Sequence, residues 1–293
     1  TLGCKVGDSF VSRPYAISSA PKAALNKQVS VTVKKCGFFS GYLFDNAKPG
    51  DVFTLGDPSG EFCYEPIKDS KQVLALAGGS GITPFYSMAQ SIADGTSDFS
   101  LTILYGAKTE KDLIFKAELD ALASDKIKVV YVLSNEKKEG YEHGFIGADL
   151  IRKYTSGDFT VMMCGPQAMY AFADKELQAF NLPLRRVKKE ANCVGVRDVK
   201  DVKYRLTVHM GFDVYKVPAS ACETVLTAME RAGINAPSKC RAGGCGFCHS
   251  RLVSGKFSIA GADKRRLADV KFGYVHPCCT YPDSDMEIVV PKA

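Results

Sequence analysis

No stretch of this chain reaches the roughly 18 consecutive apolar residues that a membrane-spanning helix needs, and no secretory leader opens it. Strong charge of one sign is also missing. The formal net charge is +6, and the local basic runs, Arg185–Lys189 and Lys264–Arg266, read as solvated faces. A nucleic-acid groove would interleave more basic residues with aromatics, so nucleic acid is excluded as a partner. Histidine is scarce: the four, at 143, 209, 249 and 276, are scattered and form no convincing acid–base dyad. They read as structural or exposed, with His249 and His276 placed to tune whatever their loops hold. Internal repeats and low-complexity tracts are absent. The chain begins at Thr1 rather than Met, which suggests sequence upstream of it.

Cysteine, by contrast, is abundant. Eleven residues, an odd and unevenly clustered number, do not read as a secreted disulfide scaffold and favour a reducing compartment, the cytoplasm. Three of them, Cys240, Cys245 and Cys248, lie in C-R-A-G-G-C-G-F-C, a C-x4-C-x2-C spacing. A fourth follows in G-Y-V-H-P-C-C-T-Y-P, where Cys278 or Cys279 can serve. This is the ligand pattern of a plant-type [2Fe–2S] cluster, whose irons need tetrahedral sulfur. The glycines let the backbone curl closely round the cluster and leave N–H groups to bond its sulfurs. The competing reading is a structural zinc site, but zinc sites usually pair two short C-x2-4-C units rather than crowding three cysteines into one loop. A [2Fe–2S] cluster moves one electron at a time, so its electrons need a source upstream.

At 293 residues, with 46% hydrophobic and 24% charged, the composition is that of an ordinary multidomain globular protein. Residues 1–68 read as short strands and turns, part of a small β-barrel. Within them Val29–Lys35 alternates apolar and polar residues as a half-buried strand should. Residues 69–190 alternate continuously apolar strands with helices, the pattern of a parallel sheet covered on both faces. The strands are expected at Val73–Ala77, Leu101–Tyr105, Lys128–Leu133 and Thr160–Cys164. The helices are expected over Pro84–Ala93, Asp112–Ser124, Ala148–Tyr154 and Gln167–Phe180. Residues 191–203 are polar and read as a linker. Residues 204–293 open with a hairpin about Gly211, continue with a helix over Ala221–Ala232, and close with a strand at Met286–Val290.

Four further motifs bear on chemistry. Arg13-Pro14-Tyr15-Ala16-Ile17-Ser18-Ser19 offers a cation suited to a phosphate and a ring that can stack on a flat heterocycle. Gly37-Phe38-Phe39-Ser40-Gly41-Tyr42-Leu43 allows a tight turn into a short helix opened by Ser40, whose start presents free N–H groups to an anion. Gly78-Gly79-Ser80-Gly81-Ile82-Thr83-Pro84 and Cys164-Gly165-Pro166-Gln167-Ala168-Met169 each stand where a parallel strand meets a helix, the place where such sheets bind ligands. Alone, each has a plain structural explanation, and Cys164 would be a buried core thiol.

Taken in series, R-P-Y-x-x-S-S, G-x-x-S-x-x-L, G-G-x-G-I-T-P and C-G-P-x-x-M resemble the ferredoxin–NADP reductase family. Residues 204–293 resemble a plant-type ferredoxin. There the last ligand lies three residues before a Tyr-Pro tyrosine, which selects Cys278 over Cys279. The order of flavin, nicotinamide and [2Fe–2S] modules resembles reductases of the phthalate dioxygenase reductase type. It equally resembles the reductases of hybrid-cluster proteins and phenylacetyl-CoA epoxidases. The resemblance implies a β-barrel flavin domain, an α/β nucleotide domain and an α+β β-grasp [2Fe–2S] domain. It implies flavin contacts from Arg13, Tyr15, Ala16 and Ser18, and from Gly37, Phe38, Phe39 and Ser40. Pyridine nucleotide would fall to Gly79, Gly81, Thr83 and Pro84, and to Gly165, Pro166 and Met169, with Cys164 beside the hydride-transfer centre. Cys240, Cys245, Cys248 and Cys278 would be the iron ligands.

The chain departs from the family pattern twice. Ala16 stands where the family usually carries a serine near flavin N5, so that contact must come from a backbone N–H or from elsewhere. The family's barrel also begins with strands before the arginine motif, which Thr1 starts too late to include. Gly56-Asp57-Pro58-Ser59-Gly60-Glu61-Phe62 resembles the turn of FAD-binding members, favouring FAD over FMN. Glu136, in Leu133-Ser134-Asn135-Glu136, would repel a 2′-phosphate and favours NADH over NADPH, although Lys108, Lys137 and Lys138 are near in sequence. The expected activity is an NAD(P)H-dependent flavin and iron–sulfur oxidoreductase feeding single electrons to a redox partner protein. The alternative is the electron-input subunit of a larger flavoenzyme complex, with little turnover alone.

Overall fold

The computed structural model describes every residue except 8, 191–196, 260–262 and 293. Its chain falls into two compact units: Thr1–Pro14, Lys34–Pro58 and Cys193–Ala293 form one, Tyr15–Val33 and Ser59–Asn192 the other. Residues 1–68, expected together, are thus shared between the two.

The second unit is built on a six-stranded parallel sheet. Its order is Glu142–His143, Ile127–Leu133, Ser100–Ala107, Gln72–Gly78, Thr160–Cys164 and Val187–Lys189. Successive residues of a strand point to opposite faces, and the central strand shows why it had to be apolar throughout. Val73, Ala75 and Ala77 pack with Phe85, Ala89 and Ile92 of the helix Thr83–Ala93. Leu74 and Leu76 pack on the other side with Ile151 of Ala148–Tyr154 and with Tyr170, Ala173 and Leu177 of Gln167–Leu177. Each such buried side chain contributes about 1.5–3 kcal/mol. The helix expected over Asp112–Ser124 is shorter, a 3-10 turn at Glu110–Asp112 followed by Lys116–Ala121. Phe115 interrupts it: at φ 58° it cannot continue a right-handed helix, and its ring stacks on Tyr86 at 4.3 Å. Val29–Lys35 is not a strand either. Val31 alone makes a β-bridge, with Ile17, and Ser30 O accepts from Ser18 N–H at 2.8 Å. Alternation marks a chain that could pair, but the ladder needs a neighbour along its whole length.

The first unit has a five-stranded mixed sheet in the order Asp213–Ser220, Lys203–Met210, Met286–Val290, Ser250–Ser254 and Tyr274–Val275. Lys203–Met210 pairs antiparallel within its hairpin and parallel to Met286–Val290, the β-grasp arrangement expected here. Val225, Leu226, Ala228 and Met229 of the helix Val225–Arg231 close over Leu206, Val208 and Ile288. That helix starts later than the pattern suggested, because Thr224 caps it: its Oγ1 accepts from Thr227 N–H at 3.3 Å. The N-terminal stretch contributes a three-stranded antiparallel sheet, Ser9–Arg13, Leu2–Val6 and Thr54–Leu55, and the helix Phe38–Asn46. Of the expected linker, 191–196 lie outside the described residues. Arg197 is anchored, with its N–H to Cys222 O at 3.2 Å and Nη1 to Asp283 at 2.7 Å.

Candidate functional site

In the parallel-sheet unit, the two expected loops lie against each other. Gly79–Ile82 makes a 3-10 turn after the strand Gln72–Gly78 and runs directly into the helix Thr83–Ala93, with Pro84 in its first turn. The Thr83 hydroxyl, buried, donates to Ser80 O at 2.8 Å and fixes the turn. Cys164 ends the neighbouring strand and Pro166 caps the helix Gln167–Leu177. Gly81 explains its own identity: a Cβ there would stand 1.9 Å from Cys164 O. Met169 reaches the same corner, its Sδ 2.9 Å from where a Cβ on Gly78 would be. Gly81, Cys164, Gly165, Pro166 and Met169 therefore meet at the carboxyl ends of two adjacent strands, with Gly79, Thr83 and Pro84 on the turn and helix start beside them. Neither helix start carries a side-chain cap, which suits an anionic ligand.

Burial and the nearby Glu190 carboxylate push the Cys164 thiol up to about 12, so it stands there as a neutral thiol. Tyr170 and Glu190, which sequence reasoning missed, brace this corner. Tyr170 Oη accepts from Gly165 N–H at 3.2 Å and donates to Glu190 O at 2.8 Å. Burial raises the Glu190 carboxyl above its ordinary range. Beyond the strand Ile127–Leu133, Glu136 Oε2 accepts from Glu110 N–H at 2.9 Å. Lys138 is ion-paired with Glu110, which Tyr141 also hydrogen-bonds. One lysine that might have offset Glu136 is thereby engaged.

Of the residues expected to contact flavin, Tyr15 and Ala16 are half-buried and Ser18 is buried in this same unit. Ser18 O accepts from Gln90 Nε2 at 2.8 Å. Arg13, Gly37, Phe38, Phe39 and Ser40 belong to the first unit. Gly37 is the N-cap of Phe38–Asn46, and the first intrahelical bond is Gly41 N–H to Gly37 O at 2.9 Å. Helix geometry leaves the N–H groups of Phe38 and Ser40 without intrahelical acceptors. Ser40 does not open the helix, which starts at Phe38. Its hydroxyl is buried against Cys36, accepting from that N–H at 2.7 Å and donating to its carbonyl at 2.6 Å. A phosphate here would meet backbone amides rather than this hydroxyl. Arg13 lies over the Phe39 ring, its Cζ 5.9 Å from the centroid, and is paired with Glu230.

The cysteine loop is held from several sides. Ala242 N–H points to Cys240 Sγ at 3.4 Å and Phe247 N–H to Cys245 Sγ at 3.5 Å, the donor pattern that a cluster's thiolates use. The neighbouring Cys278 holds the Cys240 and Cys248 thiols below their ordinary range. Cys278 is correspondingly pushed up, by Cys240 first and then by Cys248. Cys278 thus lies near Cys240 and Cys248. Among the described residues no three such side chains form a shell about one ion. A two-iron cluster takes its thiolates as two pairs. Gly243, at φ 80°, accommodates Cys279, whose Sγ would lie 2.9 Å from a Cβ placed there. His276 is fully buried: Nδ1 donates to Gly243 O at 2.7 Å, and Nε2 is 2.9 Å from Asp269, which Arg266 also binds. His249 Nδ1 donates to Gly246 O at 2.7 Å. Both histidines thus brace loop carbonyls.

Residues 75–175 match the oxidoreductase NAD-binding domain family, and residues 213–283 the 2Fe-2S iron-sulfur cluster binding domain family. The chain is 30% identical over 291 residues to the ferredoxin reductase component of 3-ketosteroid-9-alpha-monooxygenase from Mycobacterium tuberculosis, across 94% of this chain and 78% of that one. It is 29% identical over 281 residues to NADH oxidoreductase HCR of Escherichia coli, across 94% and 82%. Its fold superposes on phthalate dioxygenase reductase, described as a modular structure for electron transfer from pyridine nucleotides to [2Fe–2S]. The TM-score is 0.73 at 21% identity, covering 99% of this chain and 86% of that one.

Proposed function

The chain belongs to the ferredoxin–NADP reductase family in the form that carries a C-terminal plant-type [2Fe–2S] domain, and from that premise we propose an NADH-dependent reductase that delivers single electrons to a partner protein, an oxygenase or a comparable redox enzyme. The observation that carries this reading is the presence, in one chain, of the Gly81–Cys164 corner and of the cysteine loop whose amides face Cys240 and Cys245. A bound flavin would supply acceptance of a hydride from the nicotinamide, and a [2Fe–2S] cluster held by Cys240, Cys245, Cys248 and Cys278 would supply passage of the two electrons one at a time.

Around those groups the chain's residues bind and orient. Gly79, Gly81, Thr83 and Pro84 admit the dinucleotide, with Gly165, Pro166 and Met169 beside the nicotinamide and Cys164 as a neutral lining. Arg13 and the helix start formed by Gly37, Phe38, Phe39 and Ser40 hold the flavin phosphate end. Tyr15 lies along the isoalloxazine, Ser18 fixes that segment, and the backbone N–H of Ala16 replaces a serine hydroxyl. Cys240, Cys245, Cys248 and Cys278 bind iron. The nucleotide and [2Fe–2S] domains run 69–190 and 204–293 with 191–203 between them, and residues 1–68 supply the flavin domain although they divide between the two compact units. FAD is the flavin, and NADH is preferred because Glu136 faces a region whose Lys138 is engaged. The ten described cysteines are all free thiols, which agrees with a cytoplasmic setting. No described helix is long and apolar enough to cross a membrane.

Anaerobic stopped-flow mixing with NADH tests the reading. Flavin absorbance should bleach first and the cluster bands follow, with cytochrome c or ferricyanide as final acceptor. Chromatography of heat-released flavin separates FAD from FMN. Reconstituted protein lacking iron, acid-labile sulfide and a yellow chromophore sinks the proposal. Slow bleaching that a partner protein accelerates would identify an electron-input subunit instead.

A further inference from the structure

Glu230 is the buried carboxylate that the electron-transfer reading leaves without a role. It sits in the helix Val225–Arg231 among Val225, Leu226, Ala228 and Met229, all packed into the core, and is itself only 7% exposed. A carboxylate in such a position is costly unless paired, and here it is paired twice. Arg241 Nη2 hydrogen-bonds Oε1. Arg13 Nη1 donates to Oε1 at 3.2 Å, and its Nη2 stands 2.9 Å from Oε2 as an ion pair that is not aligned as a hydrogen bond. Buried ion triads of this kind are weak evidence for stability; what they fix is position.

The two arginines are not neutral bystanders. Arg13 leads the flavin motif and Arg241 follows directly on the ligand Cys240. Arg241 adopts φ 53°, a strained conformation for a side-chain-bearing residue, held by Glu230 and by Ser238 Oγ at 3.0 Å. Its conformation sets where the next amide points, and that amide, Ala242 N–H, faces Cys240 Sγ. One carboxylate therefore connects the flavin-motif arginine to the backbone around the first cluster ligand.

We propose that Glu230 is a positioning residue that couples the flavin-phosphate arginine to the cluster loop, so that a change at either cofactor's cradle is felt at the other. The inference rests on the electron-transfer reading. Coupling between two sites is reciprocal and typically 5- to 150-fold in affinity, so Glu230→Gln should weaken flavin binding by about tenfold while iron and sulfide content persist.

A double-mutant cycle on the full chain tests it, using Arg13→Gln, Glu230→Gln and both together. The readouts are visible circular dichroism, the EPR signal of the reduced cluster and its reduction potential. Each is taken with flavin bound and again after flavin release, so that flavin loss cannot imitate the effect. Arg13→Gln should change the cluster's dichroism even in flavin-released protein, and should change nothing further once Glu230 is Gln. Cluster signals indifferent to Arg13→Gln, or effects that simply add, overturn the proposal. Should Glu230→Gln fail to fold, Arg13→Gln in flavin-released protein decides alone. Wild-type protein holding neither flavin nor cluster overturns the electron-transfer reading as well; protein that holds both yet shows no coupling overturns this inference only.

Discussion

In the parallel-sheet unit the candidate pocket is made of backbone: glycine turns, helix starts and a carbonyl in contact, with Cys164 present as a neutral thiol. In the cluster unit it is made of side chains, four cysteines whose loop is braced by Arg241–Glu230, His276–Asp269–Arg266 and His249. The difference follows from what each must hold. A dinucleotide needs a surface that lets its phosphates approach, and an absent Cβ provides that without any charge to neutralise. A metal cluster needs several sulfur anions close together, which repel until iron arrives, so the protein must hold the loop by other means.

The sharpest break in that comparison is Cys245→Ser. It should abolish the cluster's visible absorption and the reduction of cytochrome c, yet leave flavin bleaching by NADH in place; losing both would show that the sites are not separable. Next comes Gly81→Ala. Its methyl meets rigid backbone, and overpacking of this kind costs about 1–3 kcal/mol or more. NADH affinity should fall steeply and the melting temperature drop, with the cluster spectrum unchanged; an unaltered Michaelis constant for NADH would count against the corner. Glu136→Arg should shift preference toward NADPH by about tenfold, roughly 1.4 kcal/mol, read from the ratio of kcat/KM values.

The smallest effect concerns Cys164. A folded pKa pushed up to about 12 means the neutral thiol is the favoured form. Its contribution to stability is complete below the unfolded thiol's value of about 8.5 and is lost as pH rises toward 12. Wild type should therefore lose stability above about pH 8.5 relative to Cys164→Ala, and Cys164 should resist alkylation at pH 9 until the chain is unfolded. Rapid labelling of folded protein would show the pocket to be open and ionising.

Strand periods and motif spacing were readable along the chain because they depend on near neighbours. Ala148–Tyr154, Thr160–Cys164 and Met286–Val290 fall where the pattern put them, since each is an apolar stretch bounded by clear breaks. Val29–Lys35 and Asp112–Ser124 did not, because a pairing partner and the left-handed backbone at Phe115 are not local signals. Tyr170 and Glu190 were invisible for the same reason: nothing at residues 170 or 190 announces contact with Gly165 or Cys164. Arg241 could have been suspected from its place between two ligands, but no pattern at residue 230 pointed back to it.

By itself, the order of residues determined which chemistry this protein carries, because thiolate spacing and glycine-rich strand ends have few other uses. Only the folded chain decided that Ser40 turns inward, that Glu136 has Lys138 engaged beside it, and that one buried carboxylate joins Arg13 to Arg241. Those are pairings between groups far apart in sequence. Their partners are selected by which charges the packed core leaves within reach of each other, and the linear order does not encode that reach.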